Sequence, residues 1–174
     1  MKRLGIDAEI TDDTGTIQKA DRVIFPGVGE AGSTMKYLKE RGLDKLLAGL
    51  SQPVLGICLG QQLMCSFSEE GNTTCFGIFN QEVKKFPPGD KIPHMGWNSL
   101  DHISGDLFSS DLEGAYVYFV HSYYVPLCDE TAAESNYILP FSAALQKNNF
   151  FATQFHPEKS GDAGLQILKN FIAL

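Results

Sequence analysis

The chain has 174 residues, and its 14 Lys and Arg residues against 21 Asp and Glu residues give a formal net charge of −7 at pH 7. This acidic balance, without a basic stripe, argues against nucleic-acid or anionic-membrane binding as a main function. The sequence has no apolar run near the roughly 20 residues of a membrane span and no secretory h-region, so it predicts a cytoplasmic protein with one domain, residues 1–174.

Cysteine usage indicates reduced thiols. The chain has four cysteines, with neither CxxC spacing nor the density of a disulfide scaffold: Cys58, Cys65, Cys75 and Cys128. We therefore expect the last three to be ordinary thiols. The same spacing argues against a zinc site, and the sequence predicts no metal and no cofactor.

The first half of the chain repeats a strand, loop and helix pattern. Alternating apolar residues predict a strand over 6–10, and a cluster of turn residues follows at 12–16. A strand at 22–25 leads into a glycine-bearing loop and then a helix with one apolar side over 33–50. A further strand at 54–57 is again followed by a turn and a helix. This alternation predicts an α/β fold with parallel strands.

Cys58 lies in the most informative motif, where an apolar strand runs into Gly56-Ile57-Cys58-Leu59-Gly60 and then into an apolar helix. A reactive side chain at such a tight turn needs small neighbours on both sides, and Gly56 and Gly60 supply them. The motif predicts a nucleophile elbow with Cys58 as the nucleophile. A small buried hydrophobe is the alternative for Cys58 when this motif is taken alone.

The second half of the chain changes character. Short β-like runs separated by turn signals occur at residues 76–80, 82–86, 99–100, 116–120, 123–125, 142–146 and 150–154. A last helix is predicted at about residues 163–173. No internal repeat or linker interrupts this pattern, which indicates a β-rich second half within the same domain.

His156 follows the last of these β-like runs, and Glu158 comes two residues later. A thiol nucleophile needs a base that takes its proton and returns it to the leaving group, and the base needs a third group that fixes its tautomer. Cys58, His156 and Glu158 would fill these three roles. A histidine near a carboxylate is by itself more often a surface or capping pair, so this prediction depends on the elbow.

Three motifs resemble those of the class I (triad) glutamine amidotransferases, which release ammonia from glutamine and pass it to a partner: Pro26-Gly27-Val28-Gly29, Gly56-Ile57-Cys58-Leu59-Gly60-Gln61-Gln62 and His156-Pro157-Glu158. The resemblance implies L-glutamine as the substrate and a Cys58 thioester intermediate. It also implies a flavodoxin-like, three-layer α/β fold, with a mostly parallel central sheet flanked by helices and an added antiparallel β portion in the second half.

Two stretches are similar to the glutaminase subunits of imidazole glycerol phosphate synthase, of histidine biosynthesis: Pro93-His94-Met95-Gly96-Trp97-Asn98 and His156-Pro157-Glu158-Lys159-Ser160. This similarity implies a heterodimer with the cyclase subunit, which receives the ammonia. The glutaminase of another synthase, such as anthranilate or aminodeoxychorismate synthase, is an alternative, and the stretch 94–98 discriminates between them.

The loop Pro26-Gly27-Val28-Gly29 is the candidate oxyanion hole. Attack of Cys58 on the carboxamide builds negative charge on oxygen, and two fixed N–H donors about 3 Å away are the usual solution. Leu59, the residue after the nucleophile, supplies one N–H. The resemblance points to Gly27 and Val28 for the other, in a loop whose peptide must reorient before the hole is complete. A plain strand-end turn is the alternative.

The resemblance also implies the residues that bind glutamine and the partner. Glutamine would be held by Gly29, Gln62 and the backbone at His121, Ser122 and Tyr123, although this last stretch is equally compatible with a plain strand that has His121 in the core. The partner interface would comprise His94, Met95, Trp97, Asn98 and Lys159. We expect residues 93–98 to form an interface loop with Trp97 as its aromatic anchor.

The front of the chain departs from the family pattern. Family members begin with a strand, a short loop and a helix, whereas residues 1–5 look like the tail of that helix, with Gly5 as its terminator. The resemblance therefore implies a truncated N-terminus and a natural gene product longer by one βα unit, about 20–25 residues. A non-catalytic interaction module is a second alternative, because an incomplete sheet would misplace Cys58.

Overall fold

A five-stranded sheet organises the computed structural model, which describes residues 1–174 apart from the side chain of Arg3. In chain order the strands are β1 (Val23–Gly27), β2 (Val54–Cys58), β3 (Phe67–Ser68), β4 (Thr73–Thr74), β5 (Glu82–Lys85), β6 (His94–Ser99), β7 (Tyr116–His121), β8 (Tyr123–Tyr124), β9 (Thr131–Tyr137), β10 (Leu139–Lys147) and β11 (Phe150–Thr153). The α-helices are α1 (Thr14–Lys19), α2 (Ala31–Glu40), α3 (Leu43–Ala48), α4 (Leu59–Met64) and α5 (Gly161–Ala173). Within the described part of the chain, no helix is long and apolar enough to cross a membrane.

The main sheet has the strand order β1-β2-β11-β10-β9. β1, β2 and β11 run parallel to one another, and β10 is antiparallel to both of its neighbours. The carboxyl ends of β1, β2 and β11 therefore meet at one edge of the sheet. In open α/β sheets this edge is where ligands bind.

Two apolar layers cover the faces of this sheet. Successive side chains of a strand point to opposite faces, so Leu55 and Phe151 pack into the same core as Phe171 of α5. Their neighbours Val54 and Phe150 pack on the other side, with apolar residues of α2, α3 and α4. Helices thus lie on both faces of a mixed sheet, and the predicted three-layer α/β fold is confirmed.

The second half supplies smaller sheets around this core. β6 and β7 form an antiparallel pair in the register His94↔His121 and Trp97↔Tyr118. A further small sheet has the order β4-β3-β5-β8. The predicted antiparallel portion is therefore present. It places β6 and β7 beside the carboxyl edge of the main sheet, because the N–H of His156 donates to the carbonyl of Tyr118 at 2.9 Å.

Three predictions for the first fifty residues are wrong. Residues 6–10 form no strand and pair with none of the described strands. Ile10 is 101% exposed, so the alternating apolar side chains of this segment do not bury one face against the core. The turn cluster at 12–16 instead begins α1, where Asp13 Oδ1 accepts from the Thr16 N–H at 2.7 Å as an N-cap. The single helix over 33–50 is two helices, since Gly42 adopts a left-handed conformation with φ 67° between them.

Two predictions in the β-rich half are also wrong, and one strand was not predicted. Residues 76–80 form no strand, because the N–H groups of Phe76 and Phe79 donate to the carbonyls at the end of α4. The expected interface loop at 93–98 is mostly strand β6. β9 has no counterpart in the sequence prediction, since its residues Thr-Ala-Ala-Glu-Ser-Asn-Tyr are small or polar and lack a strand pattern.

Candidate active site

Cys58 ends β2 and immediately precedes α4, in a backbone conformation that few residues adopt. Its φ is 56° and its ψ is −107°, outside the regions usual for a non-glycine residue. A Cβ added to Gly60 would lie 2.2 Å from the carbonyl oxygen of Phe25, and one added to Gly56 would lie 2.9 Å from the Gly60 carbonyl carbon. Neither position has space for a side chain, so the glycines permit the sharp turn that presents Cys58.

The pairing of β2 with β11 carries His156 to the same edge of the sheet. The two strands run parallel, with Thr153 opposite Ile57, so the segment after β11 emerges beside the elbow. Ser160 fixes this segment: its hydroxyl donates to the carbonyl of His156 at 2.6 Å and accepts from the Tyr118 N–H at 2.9 Å. The structure therefore holds the backbone of His156 against β7.

His156 and Glu158 form a hydrogen-bonded pair. Nδ1 of His156 lies 2.8 Å from Oε1 of Glu158, and because a carboxylate only accepts, Nδ1 carries the proton. Nε2 of His156 is buried and has no hydrogen-bond partner among the described residues. The free nitrogen is therefore the one available to Cys58 or to a substrate.

The pKa values of His156 and Glu158 are shifted in opposite directions. Cys58 first and Glu158 second raise the pKa of His156 to about 9, against the opposing effect of burial. Since Nε2 has no partner at hydrogen-bond distance, the influence of Cys58 acts over a longer separation. Burial raises the pKa of Glu158, but the hydrogen bond from His156 and the charges of His156 and Lys159 outweigh it, so this pKa is lowered.

The sulfur of Cys58 has two polar neighbours besides the histidine. The carbonyl oxygen of Val120 in β7 lies 3.9 Å from Sγ, and Nε2 of Gln154 lies 3.7 Å from it. The other end of the Gln154 amide is held by Gln62, whose Nε2 donates to Oε1 of Gln154 at 2.9 Å. The nucleophile thus lies between β7 and the segment that follows β11.

The candidate oxyanion loop is adjacent to the elbow. Gly27 pairs in register with Cys58, and a Cβ added to it would lie 2.9 Å from Cβ of Leu59. The structure therefore brings Gly27 and Leu59 together, as the oxyanion prediction requires. The side chain of Val28 is 83% exposed, and Gly29 has φ 113° with no atom within 4 Å of an added Cβ. The outer part of this loop has room to move.

The residues predicted to bind glutamine lie along one side of Cys58. Nε2 of Gln62 donates to the carbonyl of Tyr123 at 3.3 Å, which ties α4 to the end of β7 and to β8. Nδ1 of His121 donates to the same carbonyl at 2.7 Å, so the His121 side chain is held in the core. Ser122 accepts from the Phe86 N–H through its carbonyl at 3.1 Å. The carbonyls of Ser122 and Tyr123 are thus paired within the protein, and the His121 ring belongs to the core.

The predicted interface residues divide between the two faces of β6. Met95 and Trp97 are 62% and 55% exposed, whereas His94 is 4% exposed and stacks on Tyr137 with ring centroids 4.1 Å apart. The structure thus places the His94 side chain in the core, because side chains alternate along a strand, and it cannot be a direct interface contact. Exposed Lys159 approaches the same face, with Nζ 5.9 Å from the centroid of the Tyr118 ring.

Asn98 has a different position from the two exposed residues. Its Nδ2 donates to the carbonyl of Asn136 at 3.0 Å and lies 3.4 Å from Nε2 of His94. Its Oδ1 accepts from the Ser99 N–H at 2.9 Å. Asn98 is only partly buried, and its side chain lies on the same face of β6 as His94, opposite the face that exposes Met95 and Trp97.

Sequence reasoning missed three polar residues of this region. Gln154 contacts Cys58, Ser160 holds the backbone of His156, and Glu70 accepts from the Ala31 N–H at 2.8 Å at the start of α2; the sequence assigned no role to any of the three. A polar residue at the end of an apolar strand, as Gln154 is after β11, was the one available signal. In the described part of the chain no group of three or more His, Cys, Asp or Glu residues is arranged to hold a metal ion.

Comparison with known proteins agrees with this geometry. The family model described as "Glutamine amidotransferase class-I" matches residues 2–174. The chain belongs to the class I glutamine amidotransferase family. The predicted family membership is confirmed, and with it the expectation of a glutamine-hydrolysing enzyme.

Two relatives with high sequence identity have the same protein name. Imidazole glycerol phosphate synthase subunit HisH of Bacteroides fragilis strain YCH46 is 60% identical over 177 residues, which cover 100% of this chain and 90% of the relative. The protein of the same name from Yersinia pseudotuberculosis is 46% identical over the same shares of both chains.

Solved structures of family members share the fold. A structure described as a glutamine amidotransferase superposes with a TM-score of 0.72 at 20% identity, covering 98% of this chain and 89% of that one. A glutamine amidotransferase from Thermotoga maritima gives a TM-score of 0.59 at 19% identity, covering 99% of this chain and 67% of that one.

Proposed function

We propose that this chain is the glutaminase subunit of an imidazole glycerol phosphate synthase, which hydrolyses L-glutamine and passes ammonia to a cyclase subunit. The observation that carries the proposal is the 2.8 Å bond from His156 Nδ1 to Glu158 Oε1 beside a cysteine at a strained strand-to-helix turn. The names of its relatives favour this synthase among those that use such a glutaminase.

The first chemical step forms a covalent bond between Cys58 and the substrate. His156 accepts the proton of the Cys58 thiol, and the sulfur attacks the carboxamide carbon of glutamine. The C=O electron pair moves to oxygen, where N–H groups of Leu59 and of the Gly27-Val28 peptide stabilise the negative charge. Glu158 holds the ring of His156 and stabilises its positive form.

The second step releases ammonia. His156 returns the proton to the departing nitrogen as the C–N bond breaks, which leaves a thioester of Cys58. Glu158, whose hydrogen bond raises the pKa of His156, favours the protonated ring until the leaving group takes the proton. Water, deprotonated by His156, then attacks the thioester and releases glutamate, which restores the thiol. One glutamine and one water give one glutamate and one ammonia.

Negative charges near Tyr123 suit the α-ammonium group of glutamine. Burial raises the pKa of the Tyr123 hydroxyl, and the carboxylates of Glu70, Glu69 and Glu30 raise it further. Lys85, which pairs with Tyr123 in the sheet, donates its N–H to Oε2 of Glu69 at 2.7 Å, so Glu69 lies beside this pair. Glu30 and Glu70 also accept N–H bonds at the start of α2, which fixes their positions. We assign the α-ammonium to this acidic side of the site, and Gly29, Gln62 and the backbone of 121–123 to glutamine binding.

The exposed face of β6 is the proposed docking surface for the cyclase subunit. Met95 and Trp97 expose apolar area there, and Trp97 packs edge-on against Tyr118 with ring centroids 6.1 Å apart. Lys159 adds a positive charge at the rim of this docking surface. With four free thiols, Cys58, Cys65, Cys75 and Cys128, the protein suits the cytoplasm, where we propose it acts.

The test is activation by a defined partner. Glutamate formation from L-glutamine is measured with the chain alone, with a cyclase subunit of imidazole glycerol phosphate synthase, and with the synthase subunit of an anthranilate synthase. We expect stimulation by the cyclase subunit and none by the other protein. Stimulation only by the partner from anthranilate synthase would assign the chain to that synthase, and no hydrolysis in any mixture would leave only an interaction module.

A further inference from the structure

We propose that Gln154 is a further catalytic residue, whose side-chain amide donates a hydrogen bond to the sulfur of Cys58 and so stabilises the thiolate that forms when His156 accepts the proton. This inference rests on the proposed function of Cys58 as nucleophile. Nε2 of Gln154 lies 3.7 Å from Sγ, within the range of N–H donation to sulfur, and Gln154 is completely buried.

The orientation of the Gln154 amide follows from a single backbone carbonyl. A carbonyl oxygen only accepts, so the Gln62 atom that lies 3.3 Å from the Tyr123 oxygen must be the nitrogen Nε2. That NH2 group lies 2.9 Å from the Gln154 side chain, so the Gln154 atom facing it must be the oxygen Oε1. The remaining end of the Gln154 amide, the NH2 group, therefore faces Cys58.

The sulfur is the acceptor that this buried NH2 group meets. Among the described residues the Gln154 side chain makes two hydrogen bonds, to Gln62 through Oε1 and to Cys58 through Nε2. A buried amide that gives up its contacts with water needs such partners. Because a thiolate is a far better acceptor than a thiol, this arrangement favours the ionised sulfur.

The role of Gln154 changes along the reaction. Once His156 has accepted the thiol proton, the NH2 group of Gln154 and the imidazolium of His156 both stabilise the thiolate, and Glu158 acts one hydrogen bond further away through His156. When the sulfur attacks, its negative charge passes to the carboxamide oxygen and the bond from Gln154 weakens. Gln154 therefore acts by raising the fraction of Cys58 that is ready to attack at neutral pH and by fixing the position of the sulfur.

The experiment compares Gln154→Met with the wild type in complex with the cyclase subunit. Methionine has a similar length and fills the same space, but it has no donor. We expect the pH at which Cys58 reaches half of its maximal rate of alkylation by iodoacetamide to rise by about one unit, since a hydrogen bond to a charged group is worth about tenfold or more. Glutamine hydrolysis at neutral pH should fall about tenfold, and the deficit should shrink as the pH rises.

A second variant and a control separate this role from simple packing. Gln154→Glu keeps an acceptor for Gln62 but places a carboxylate against the sulfur, so its alkylation profile should shift further than that of Gln154→Met. Gln61→Met is the matched control, because Gln61 is an equally buried glutamine that donates to the Ser142 carbonyl at 3.1 Å. It should lower stability without moving the profile.

Two results would overturn the inference: an unchanged alkylation profile in both Gln154 variants, or an activity deficit in Gln154→Met that is the same at every pH. Failure of the proposed function is a distinct outcome. It would appear in the wild type, as absent glutamine hydrolysis or as labelling of Cys58 no faster than that of Cys65, Cys75 and Cys128.

Discussion

Nδ1 of His94 lies 3.0 Å from Nε2 of His121, and the tautomers of both rings are fixed by their other partners. His121 must donate from Nδ1 to the carbonyl of Tyr123, so its Nε2 accepts and His94 must donate from Nδ1. Nε2 of His94 is then left to accept from the side chain of Asn98 at 3.4 Å. Both histidines are neutral members of one hydrogen-bonded chain.

This chain joins the inner face of β6 to the surroundings of the nucleophile. It begins at Asn98 in β6 and ends at the Tyr123 carbonyl, which also accepts from Gln62. Gln62 in turn holds Gln154, whose amide faces Cys58. The hydrogen bonds between β6 and the sulfur are therefore continuous, which makes this path a candidate route for coupling between docking and the nucleophile.

The two histidines should make stability depend on pH on the acid side. Burial lowers the pKa of His94 to about 4, and burial together with the nearby histidines lowers that of His121 to about 3. Below the ordinary pKa of 6.5 these histidines bind protons in the unfolded chain but stay neutral in the folded chain. The free energy of unfolding therefore falls as the pH drops from about 6.5 towards 4. In His94→Gln we expect this slope, measured by urea titration, to decrease by up to about 1.4 kcal/mol per pH unit.

His102→Gln is the control for this measurement. His102 is exposed and its hydrogen bond to Glu134 raises its pKa, so its contribution to stability is complete and constant below pH 6.5 and changes only above that pH. Its loss should leave the acid slope unchanged. Identical slopes for His94→Gln and the wild type would show that the pair is not held neutral.

His156 predicts the opposite dependence on the alkaline side. Its folded pKa of about 9 lies above the ordinary value of 6.5, so its contribution is complete below pH 6.5 and is lost as pH rises through 9. Glu158→Gln replaces the carboxylate partner, and we expect this loss of stability to begin at lower pH. Urea midpoints from pH 6 to 10 measure the effect, and coincident curves for the two proteins would contradict it.

Substitutions in the candidate triad should separate hydrolysis from synthesis. Cys58→Ala should abolish glutamine hydrolysis by the complex, because no nucleophile remains, while synthesis from added ammonia persists since the partner needs only NH3. His156→Ala should cost nearly as much, and Glu158→Gln about a hundredfold less, because Glu158 acts through His156. Rates of glutamate formation and of ammonia-dependent synthesis are the measurements.

Cys65→Ala is a matched control for Cys58→Ala. Burial raises the pKa of the Cys65 thiol, and the side chain is completely buried in the core, so it should not contribute to hydrolysis. A Cys58→Ala protein that hydrolyses glutamine at a comparable rate would remove Cys58 from the proposed mechanism.

Much of the site could be predicted from the sequence because its parts are local. The elbow needs Gly56 and Gly60 within two residues of Cys58, and Glu158 reaches His156 across one intervening residue, so both features appear as short motifs. The parallel strands that carry them are continuous apolar runs, which are typical of strands buried on both faces.

The polar network could not be predicted because its contacts are remote in the chain. Gln62 and Gln154 are 92 positions apart, and His94 and His121 are 27 apart. Nothing local distinguishes a glutamine that faces a nucleophile from one that faces water. The strand over 6–10 failed for a related reason, since a strand depends on a neighbour that periodicity alone cannot supply.

The loop after β1 should control activation by the partner. Gly27 is held against Leu59, so Val28 and Gly29 are the parts free to reorient, and Gly29 has a φ of 113° that alanine adopts only with strain. We expect the isolated chain to be slower than the complex by roughly 10²–10³-fold, the cost of one missing oxyanion donor. Gly29→Ala should lower the activated rate and leave partner affinity unchanged.

Gly5→Ala provides the control for the loop variant. Gly5 has φ 70° and, like Gly29, no atom within 4 Å of an added Cβ, but it lies far from Cys58 in the sequence and outside the site. It should keep the full activation. Equal rates with and without the cyclase would rule out regulation by this loop.

Trp97 should be the anchor of the docking surface. It exposes 55% of its surface in the isolated chain and is braced by Tyr118, so docking can bury a large apolar side chain that is already held in place. Trp97→Ala should weaken association by about 2 kcal/mol or more, measured by calorimetry, whereas Lys159→Ala at the rim should mainly reduce the association rate and its salt dependence.

Tyr37→Ala is the control, because Tyr37 is another exposed aromatic, on α2 at the opposite face of the main sheet. If Trp97→Ala and Tyr37→Ala bind the cyclase equally tightly, β6 is not the docking surface, and the hydrogen-bonded chain from Asn98 to Cys58 does not carry the signal.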